Sequence, residues 1–123
     1  MKAILDGSFM MKCVRKEIDF LTQLKGLGMK VSILKESLQE LKDARFASTS
    51  SRQDHGTIRT IFTIIDREHI EKKSTGQQAI GKWLAHQSRK GFYIGTADHQ
   101  VRNTIAKEKL IQIHDNKNLC LHS

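Results

Sequence analysis

The sequence lacks the features that mark membrane proteins and disulfide-stapled secreted domains. No apolar run approaches the roughly 18 residues that suggest a membrane span, and Asp6 interrupts the apolar start that a signal peptide would need. The two cysteines, Cys13 and Cys120, show neither CxxC nor zinc spacing. These absences predict a cytoplasmic protein that is not associated with a membrane and for which no disulfide is predicted.

What the sequence does have is an excess of positive charge. Its 123 residues include 21 Lys and Arg against 13 Asp and Glu, which gives a formal net charge of +8. Such a balance is typical of a protein with a polyanionic partner, most often a nucleic acid, although some basic proteins have no such partner. The length is that of one domain, so residues 1–123 are predicted to form a single domain.

Hydrophobic periodicity predicts alternating strands and helices. Strands are expected at residues 2–5, 31–34, 69–73, 92–94, 110–113 and 119–121, and helices at residues 11–25, 35–46, 58–65, 77–87 and 101–105. The polar stretch 47–53 is expected to be a loop. This alternation predicts an α/β fold, namely a three-layer α/β/α sandwich with a central, mainly parallel sheet of four to five strands.

Acidic residues follow two of the buried strands at the same predicted edge of the sheet. Asp6 follows strand 2–5 and Asp98 follows strand 92–94, and ligands of such sheets bind beyond the carboxyl ends of the strands. Glu40, in the helix after the second strand, is predicted to point to the same place. Clustered carboxylates suit Mg²⁺ or Mn²⁺, which activates water and stabilises charge on a phosphate. The pattern leaves open the alternative that these acids only start turns or cap helices.

Basic residues accompany the acids. Arg102 lies one turn after Asp98 and is predicted to face a phosphate, and Lys12 belongs to a basic group that follows Asp6. A solvated helix face is the alternative explanation for either basic residue. Acids at strand ends, combined with a net positive charge, predict a phosphodiesterase that holds nucleic acid on a basic surface.

Three stretches occur in an order that resembles a known family. They are residues 3–11 (AILDGSFMM), 31–42 (VSILKESLQELK) and 91–105 (GFYIGTADHQVRNTI), and residues 74–84 (STGQQAIGKWL) match the helix before the last of them. The set resembles PIN domains, most closely the archaeal and eukaryotic small-subunit rRNA-processing branch. The likeness spans nearly the whole chain.

The resemblance implies an endoribonuclease that uses Mg²⁺ or Mn²⁺ and acts in ribosomal RNA processing. It implies metal ligands and catalytic acids at Asp6, Glu40 and Asp98, with supporting side chains at Ser8, Thr96 and Gln78. It also makes RNA, particularly ribosomal RNA, the expected partner, with a homodimer or a protein partner as further options.

The sequence departs from the family pattern at several acidic positions. Gln77, Gln78 and Gln100 stand where the family usually offers acids, and Ser8 replaces an Asn. A glutamine oxygen can contact a metal but brings no negative charge. Two alternatives therefore accompany the nuclease hypothesis: a PIN-like scaffold that binds RNA without cutting it, and a PIN-class toxin held by an antitoxin. The residues that could compensate for the missing acids are Glu36, His99 and Asp115.

Overall fold

The computed structural model describes residues 1–45 and 51–121. Its elements are, in chain order, β1 (Lys2–Leu5), α1 (Gly7–Arg15), α2 (Phe20–Gly26), β2 (Lys30–Leu34), α3 (Lys35–Arg45), α4 (Arg52–Glu68), β3 (Glu71–Lys73), α5 (Ile80–Arg89), β4 (Tyr93–Gly95), α6 (His99–Arg102), β5 (Ile111–His114) and β6 (Asn118–Leu121). A short 3₁₀ turn, Lys107–Lys109, precedes β5.

Four strands form a parallel sheet in the order β3-β2-β1-β4. Strand β1 lies between β2 and β4, so that Ala3 has Val31 opposite it on one side and Tyr93 on the other. After their first residues, β1 and β2 are buried at every position. This is expected for parallel strands that are covered on both faces. The predicted α/β fold with a parallel sheet of four strands is therefore confirmed.

The two faces of the sheet carry separate cores. Ala3 and Leu5 of β1 pack in the larger core, which is built with α1, α2, α3 and α4. Ile4, between them, faces the smaller core with Trp83 and Leu84 of α5. Because strand side chains alternate between faces, one short apolar strand supplies both cores. Helices cover both faces of the sheet, which is the predicted three-layer α/β/α arrangement.

The last two predicted strands form a hairpin instead of extending the central sheet. β5 and β6 pair antiparallel with each other. A single parallel bridge, between Ile94 and Leu110, joins this region to β4. Ile111 and Leu119 contribute to the larger core, so the hairpin closes that face of the sheet.

The single helix predicted at 11–25 is wrong, because the structure has two helices there. α1 begins directly after β1 and ends at Arg15, and Glu17 takes a left-handed conformation with φ 58°. A second cap, Asp19, then starts α2 by accepting a hydrogen bond from the Thr22 N–H at 3.2 Å. Both helices bury one face in the same core. Their apolar residues therefore follow each other in the sequence at the spacing of a single amphipathic helix.

Three other predicted helices have different boundaries. The helix predicted at 101–105 is α6, which runs from His99 to Arg102. The helix predicted at 77–87 is α5, which begins only at Ile80, because Gly76 has φ +67° and residues 76–78 form a turn. Gln77 and Gln78 therefore precede the helix. The helix predicted at 58–65 is α4, which starts at Arg52, after Ser51 caps it. Of the predicted loop 47–53, residues 47–50 lie outside the described residues, as does residue 46 of the helix predicted at 35–46.

Candidate active site at the carboxyl edge of the sheet

Asp6 stands where the central strand β1 becomes helix α1, and it forms the N-cap of that helix. Its Oδ1 accepts hydrogen bonds from the backbone N–H of Phe9 at 2.9 Å and from the hydroxyl of Ser8 at 2.6 Å. Its Oδ2 accepts from the hydroxyl of Thr96 at 2.5 Å. The buried carboxylate is thus held in one orientation by donors from two strand ends.

Ser8 and Thr96 join the end of β1 to the end of β4. The Ser8 Oγ accepts a hydrogen bond from the backbone N–H of Ala97 at 2.9 Å and lies 3.4 Å from the Thr96 Oγ1. The Thr96 Oγ1 in turn accepts from the backbone N–H of Asp98 at 3.3 Å. The two residues predicted to support Asp6 therefore contact it directly, and they also fix the backbone that leads to Asp98.

The electrostatic environment of Asp6 opposes its charge. Burial raises the pKa of Asp6 above its ordinary value, and the negative charge of Asp98 raises it further. Hydrogen bonds from Ser8, Thr96 and Phe9 lower the pKa of this carboxyl, but burial is the largest effect and the net shift is upward. A neighbouring cation would relieve this unfavourable charge.

Asp98 follows β4 with two residues, Thr96 and Ala97, between it and the end of the strand. It forms the N-cap of α6, and its Oδ1 accepts hydrogen bonds from the backbone N–H groups of Gln100 at 2.9 Å and Val101 at 3.4 Å. Unlike Asp6, it is exposed. Asp98 therefore caps a helix, as the alternative interpretation predicts, and it also lies close enough to Asp6 to perturb its pKa.

Glu40 lies on α3, which packs against the first turn of α1. The backbone N–H of Gly7 donates a hydrogen bond to the Ser37 hydroxyl, and a Cβ at Gly7 would lie 3.0 Å from the Leu41 Cγ. This contact brings Glu40 to the site. Glu40 is exposed, but the partial loss of solvent around its carboxylate still raises its pKa, and the charges of Asp6 and Asp43 raise it further.

A small pocket beside Asp6 collects basic and polar side chains. It has a volume of about 210 Å³, and its lining includes Lys12, Thr96, His99 and Arg102. The guanidinium of Arg102 donates a hydrogen bond to the backbone oxygen of Thr96 at 3.0 Å, which fixes its position beside the site. The structure thus brings Lys12 and Arg102, both predicted to contact nucleic acid, into one pocket, which Phe9 and Thr96, hydrogen-bond partners of Asp6, also line.

Three of the remaining predicted residues lie elsewhere. Gln78 lines a separate groove between α5 and α6. Glu36 accepts hydrogen bonds from the Ser74 hydroxyl at 2.6 Å and the Thr75 N–H at 3.1 Å, so its carboxylate anchors the segment after β3. The Asp115 carboxylate lies 3.1 Å from the Nε2 of His114 at the β5–β6 turn. Of the compensating candidates, only His99 lines the pocket beside Asp6.

The acids at this edge have the donor chemistry that Mg²⁺ or Mn²⁺ prefers. Among residues 1–45 and 51–121, no group of three or more His, Cys, Asp and Glu side chains is placed to hold a metal ion. Mg²⁺, however, is usually bound by one or two carboxylates, several waters and substrate phosphates rather than by a closed protein cage. Asp6 uses three of roughly four acceptor positions on its carboxylate for hydrogen bonds. About one acceptor position on Asp6 is left for a further ligand, so an ion here would need water or a phosphate to complete its coordination.

Sequence reasoning missed the residues that allow the elements around Asp6 to approach so closely. A Cβ at Gly95 would lie 2.6 Å from the Leu5 Cδ2 and 3.1 Å from the Phe9 ring. Ser37, buried in α3, supplies the acceptor for the first N–H of α1. A glycine directly after a buried strand, and a serine on the apolar face of a helix, are the sequence signals that indicate such contacts.

Two comparisons with known proteins found no similar protein. No family model matches the chain, and a search of curated proteins finds no significant match. Across the part of the chain that the structure describes, no helix has the length and apolar character needed to cross a bilayer.

Proposed function

We propose that this protein is a metal-dependent endoribonuclease of the PIN type, with Asp6, Glu40 and Asp98 as its acidic residues. The observation that carries the proposal is the buried Asp6 carboxylate, which Ser8, Phe9 and Thr96 hold at the carboxyl end of the central parallel strand. The pKa of Asp6 is raised in part by Asp98, and that of Glu40 in part by Asp6. Coupled carboxylates in a ligand-binding position are typical of catalytic and metal sites.

Each residue has a role in this proposal. Asp6 and Asp98 would hold Mg²⁺ or Mn²⁺, which when bound supplies a Lewis acid for the phosphate and lowers the pKa of water. Glu40, whose pKa is raised, would position the attacking water and accept its proton. Ser8 and Thr96 orient the Asp6 carboxylate through their hydroxyl groups.

The substrate follows from charge and from the family resemblance. Lys12 and Arg102 share the pocket next to Asp6, where they would neutralise backbone phosphates on either side of the bond that is cut. The net charge of +8 favours any polyanion. The PIN-like motifs point specifically to RNA and to ribosomal RNA processing in the cytoplasm.

A second function has its own supporting observation. Asp98 already caps α6 through Oδ1, and Gln77, Gln78 and Gln100 bring no charge to the positions where PIN domains usually carry acids. A domain with these features would bind RNA through Lys12 and Arg102 without cutting it. The toxin hypothesis stays a prediction from the resemblance, with no structural feature that favours it.

Cleavage of a labelled structured RNA, with Mg²⁺ or Mn²⁺ against EDTA, tests the proposal. Wild type should cut only with metal, and Asp6→Asn and Asp98→Asn should each lower the rate by about a hundredfold or more, since each removes a charged metal ligand. Asp66→Asn is the matched control, because Asp66 is exposed on α4, away from this edge.

The two functions give different results in this assay. RNA that binds to the wild type but stays uncut at every metal concentration would reject the nuclease and support the scaffold. Equal cleavage by wild type and Asp6→Asn would reject the assigned site.

A further inference from the structure

A long part of the chain carries no acidic residue. Residues 72–97 contain no Asp or Glu but five Lys or Arg residues. The segment includes the whole of α5, on which Lys82, His86 and Arg89 are exposed. Their spacings of four and three residues place them on one face of the helix. This face of the molecule is therefore positive, with no acid of its own helix to offset the charge.

A groove runs along this positive face. It has a volume of about 690 Å³ and lies between α5 and the segment around α6; its lining includes Gln78, Lys82, His86, Arg89 and Gln100. Neither Lys82 nor Arg89 forms an ion pair with another described residue, so their charges are available to a ligand.

The floor of the groove consists of small side chains. Ala79, Gly81, Ala85 and Val101 line it, and a Cβ at Gly81 would lie 3.2 Å from the Val101 Cγ2. The described lining contains no Phe, Tyr or Trp on which a base could stack, so His86 supplies its one aromatic ring, and it contains no carboxylate that would repel a phosphate. These properties favour a ligand recognised through its backbone charge rather than through its bases.

Helix α6 connects this groove to the candidate active site. Asp98 caps α6, and His99 and Arg102 line the pocket beside Asp6. Gln100 and Val101 of the same helix line the α5–α6 groove. An RNA strand that leaves the pocket beside Asp6 would therefore cross only α6 before it reaches the basic residues of α5.

We propose that the α5–α6 groove binds the phosphate backbone of a single-stranded RNA segment that flanks the one held at the Asp6 site. Lys82 and Arg89 contact phosphates, and the amides of Gln78 and Gln100 donate hydrogen bonds without adding negative charge. The inference rests on the proposed function insofar as RNA is the ligand. It adds a binding subsite that determines how long a strand the protein engages.

The test compares a short with a long fluorescent oligouridylate by anisotropy, in EDTA and over a series of salt concentrations. The variant Lys82→Glu/Arg89→Glu should weaken binding of the long RNA by roughly tenfold or more and reduce its salt slope by about 1.4, the value for two lost contacts on a single strand. Binding of the short RNA should change little, because it is held at the Asp6 pocket.

The matched control is Lys25→Glu/Arg59→Glu. These exposed residues lie on α2 and α4, which cover the opposite face of the sheet, and this variant lowers the net charge by the same amount. It should bind the long RNA nearly as wild type does. Thermal melts establish that both variants fold, and the milder Lys82→Gln/Arg89→Gln should show a smaller loss in the same direction.

The outcomes separate this proposal from the one on which it rests. Wild-type affinity for the long RNA in the groove variant, or an equal loss in the control, overturns the groove while leaving the nuclease intact. A wild type that binds neither RNA in EDTA overturns the groove, whereas the nuclease is rejected only by the cleavage assay with metal. An RNA-independent protein partner that is lost only in the groove variant, with RNA binding unchanged, would assign the groove to protein recognition instead.

Discussion

Two corners of this molecule follow the same local plan and have different environments. At the β1–α1 corner, Asp6 directly follows the strand and caps a helix of nine residues. At the β4–α6 corner, two residues separate the end of the strand at Gly95 from Asp98, which caps a helix of four. Asp6 is only 5% exposed and has a raised pKa, whereas Asp98 is exposed.

The difference comes from the position of each strand in the sheet. β1 is paired on both sides, and β4 is the last strand of the parallel sheet, linked beyond itself only by the bridge between Ile94 and Leu110. The acid at the central strand is therefore covered by its neighbours, and the acid at the outer strand faces solvent. Both acids cap a helix, but the strand order and the two residues between Gly95 and Asp98 decide how far each carboxylate is buried.

The largest expected effect on stability is at the contact that holds the two corners together. Gly95→Ala should destabilise the protein by about 1–3 kcal/mol, because the new Cβ would lie 2.6 Å from the Leu5 Cδ2 in a packed core. Urea denaturation measures the change. If the corners were loosely packed, the variant would be as stable as wild type.

Gly56→Ala is the control for this substitution. Gly56 lies inside α4, and a Cβ there would meet no atom within 4 Å. Alanine at an open helical position should stabilise the protein by about 0.5–1 kcal/mol. Opposite signs for the two glycine variants would show that the close approach at Gly95, and not the loss of glycine itself, causes the destabilisation.

A smaller effect distinguishes the two acids. Asp6→Asn should raise the free energy of unfolding at neutral pH on the order of 1 kcal/mol in the absence of metal, since it removes a charge whose burial is unfavourable. Asp98→Asn should change stability little, because Asn caps helices as well as Asp and Asp98 is exposed. Thermal melts in EDTA measure both.

The increase in the free energy of unfolding caused by Asp6→Asn should depend on pH. The folded pKa of Asp6 lies above 3.8, so ionisation of this group lowers stability as pH rises from that value through the raised pKa. The advantage of the variant should therefore be complete above the raised pKa and vanish below 3.8. An advantage that persisted at low pH would mean that packing, rather than charge, explains it.

Local pattern was sufficient to predict much of the fold. The strand 2–5 was predicted to the residue, and Asp6, Ser8, Thr96, Lys12 and Arg102 come together at one sheet edge, because parallel strands place their carboxyl ends side by side. Hydrophobic periodicity did not predict the boundary between two helices that pack in the same core. The break between α1 and α2 coincides with the left-handed backbone conformation of Glu17, which a hydrophobic pattern does not reveal.

The site itself was harder to predict, because its geometry depends on contacts distant in sequence. Glu36 and Glu40 lie on the same helix. The charge of Asp6 raises the pKa of Glu40, whereas Glu36 accepts hydrogen bonds from Ser74 and Thr75. The boundary of α5 likewise moves Gln78 away from the Asp6 pocket. Neither outcome follows from spacing along the chain, since both depend on how separate elements pack.

In the proposed function, the Asp6 edge binds a divalent ion together with an RNA phosphate. Binding of Mn²⁺, followed by its paramagnetic resonance signal with and without a short RNA, tests this for wild type, Asp6→Asn and the control Asp66→Asn. We expect RNA to tighten Mn²⁺ binding in wild type and in the control, and Asp6→Asn to abolish this tightening. Equal Mn²⁺ affinity in all three proteins with RNA present would contradict it.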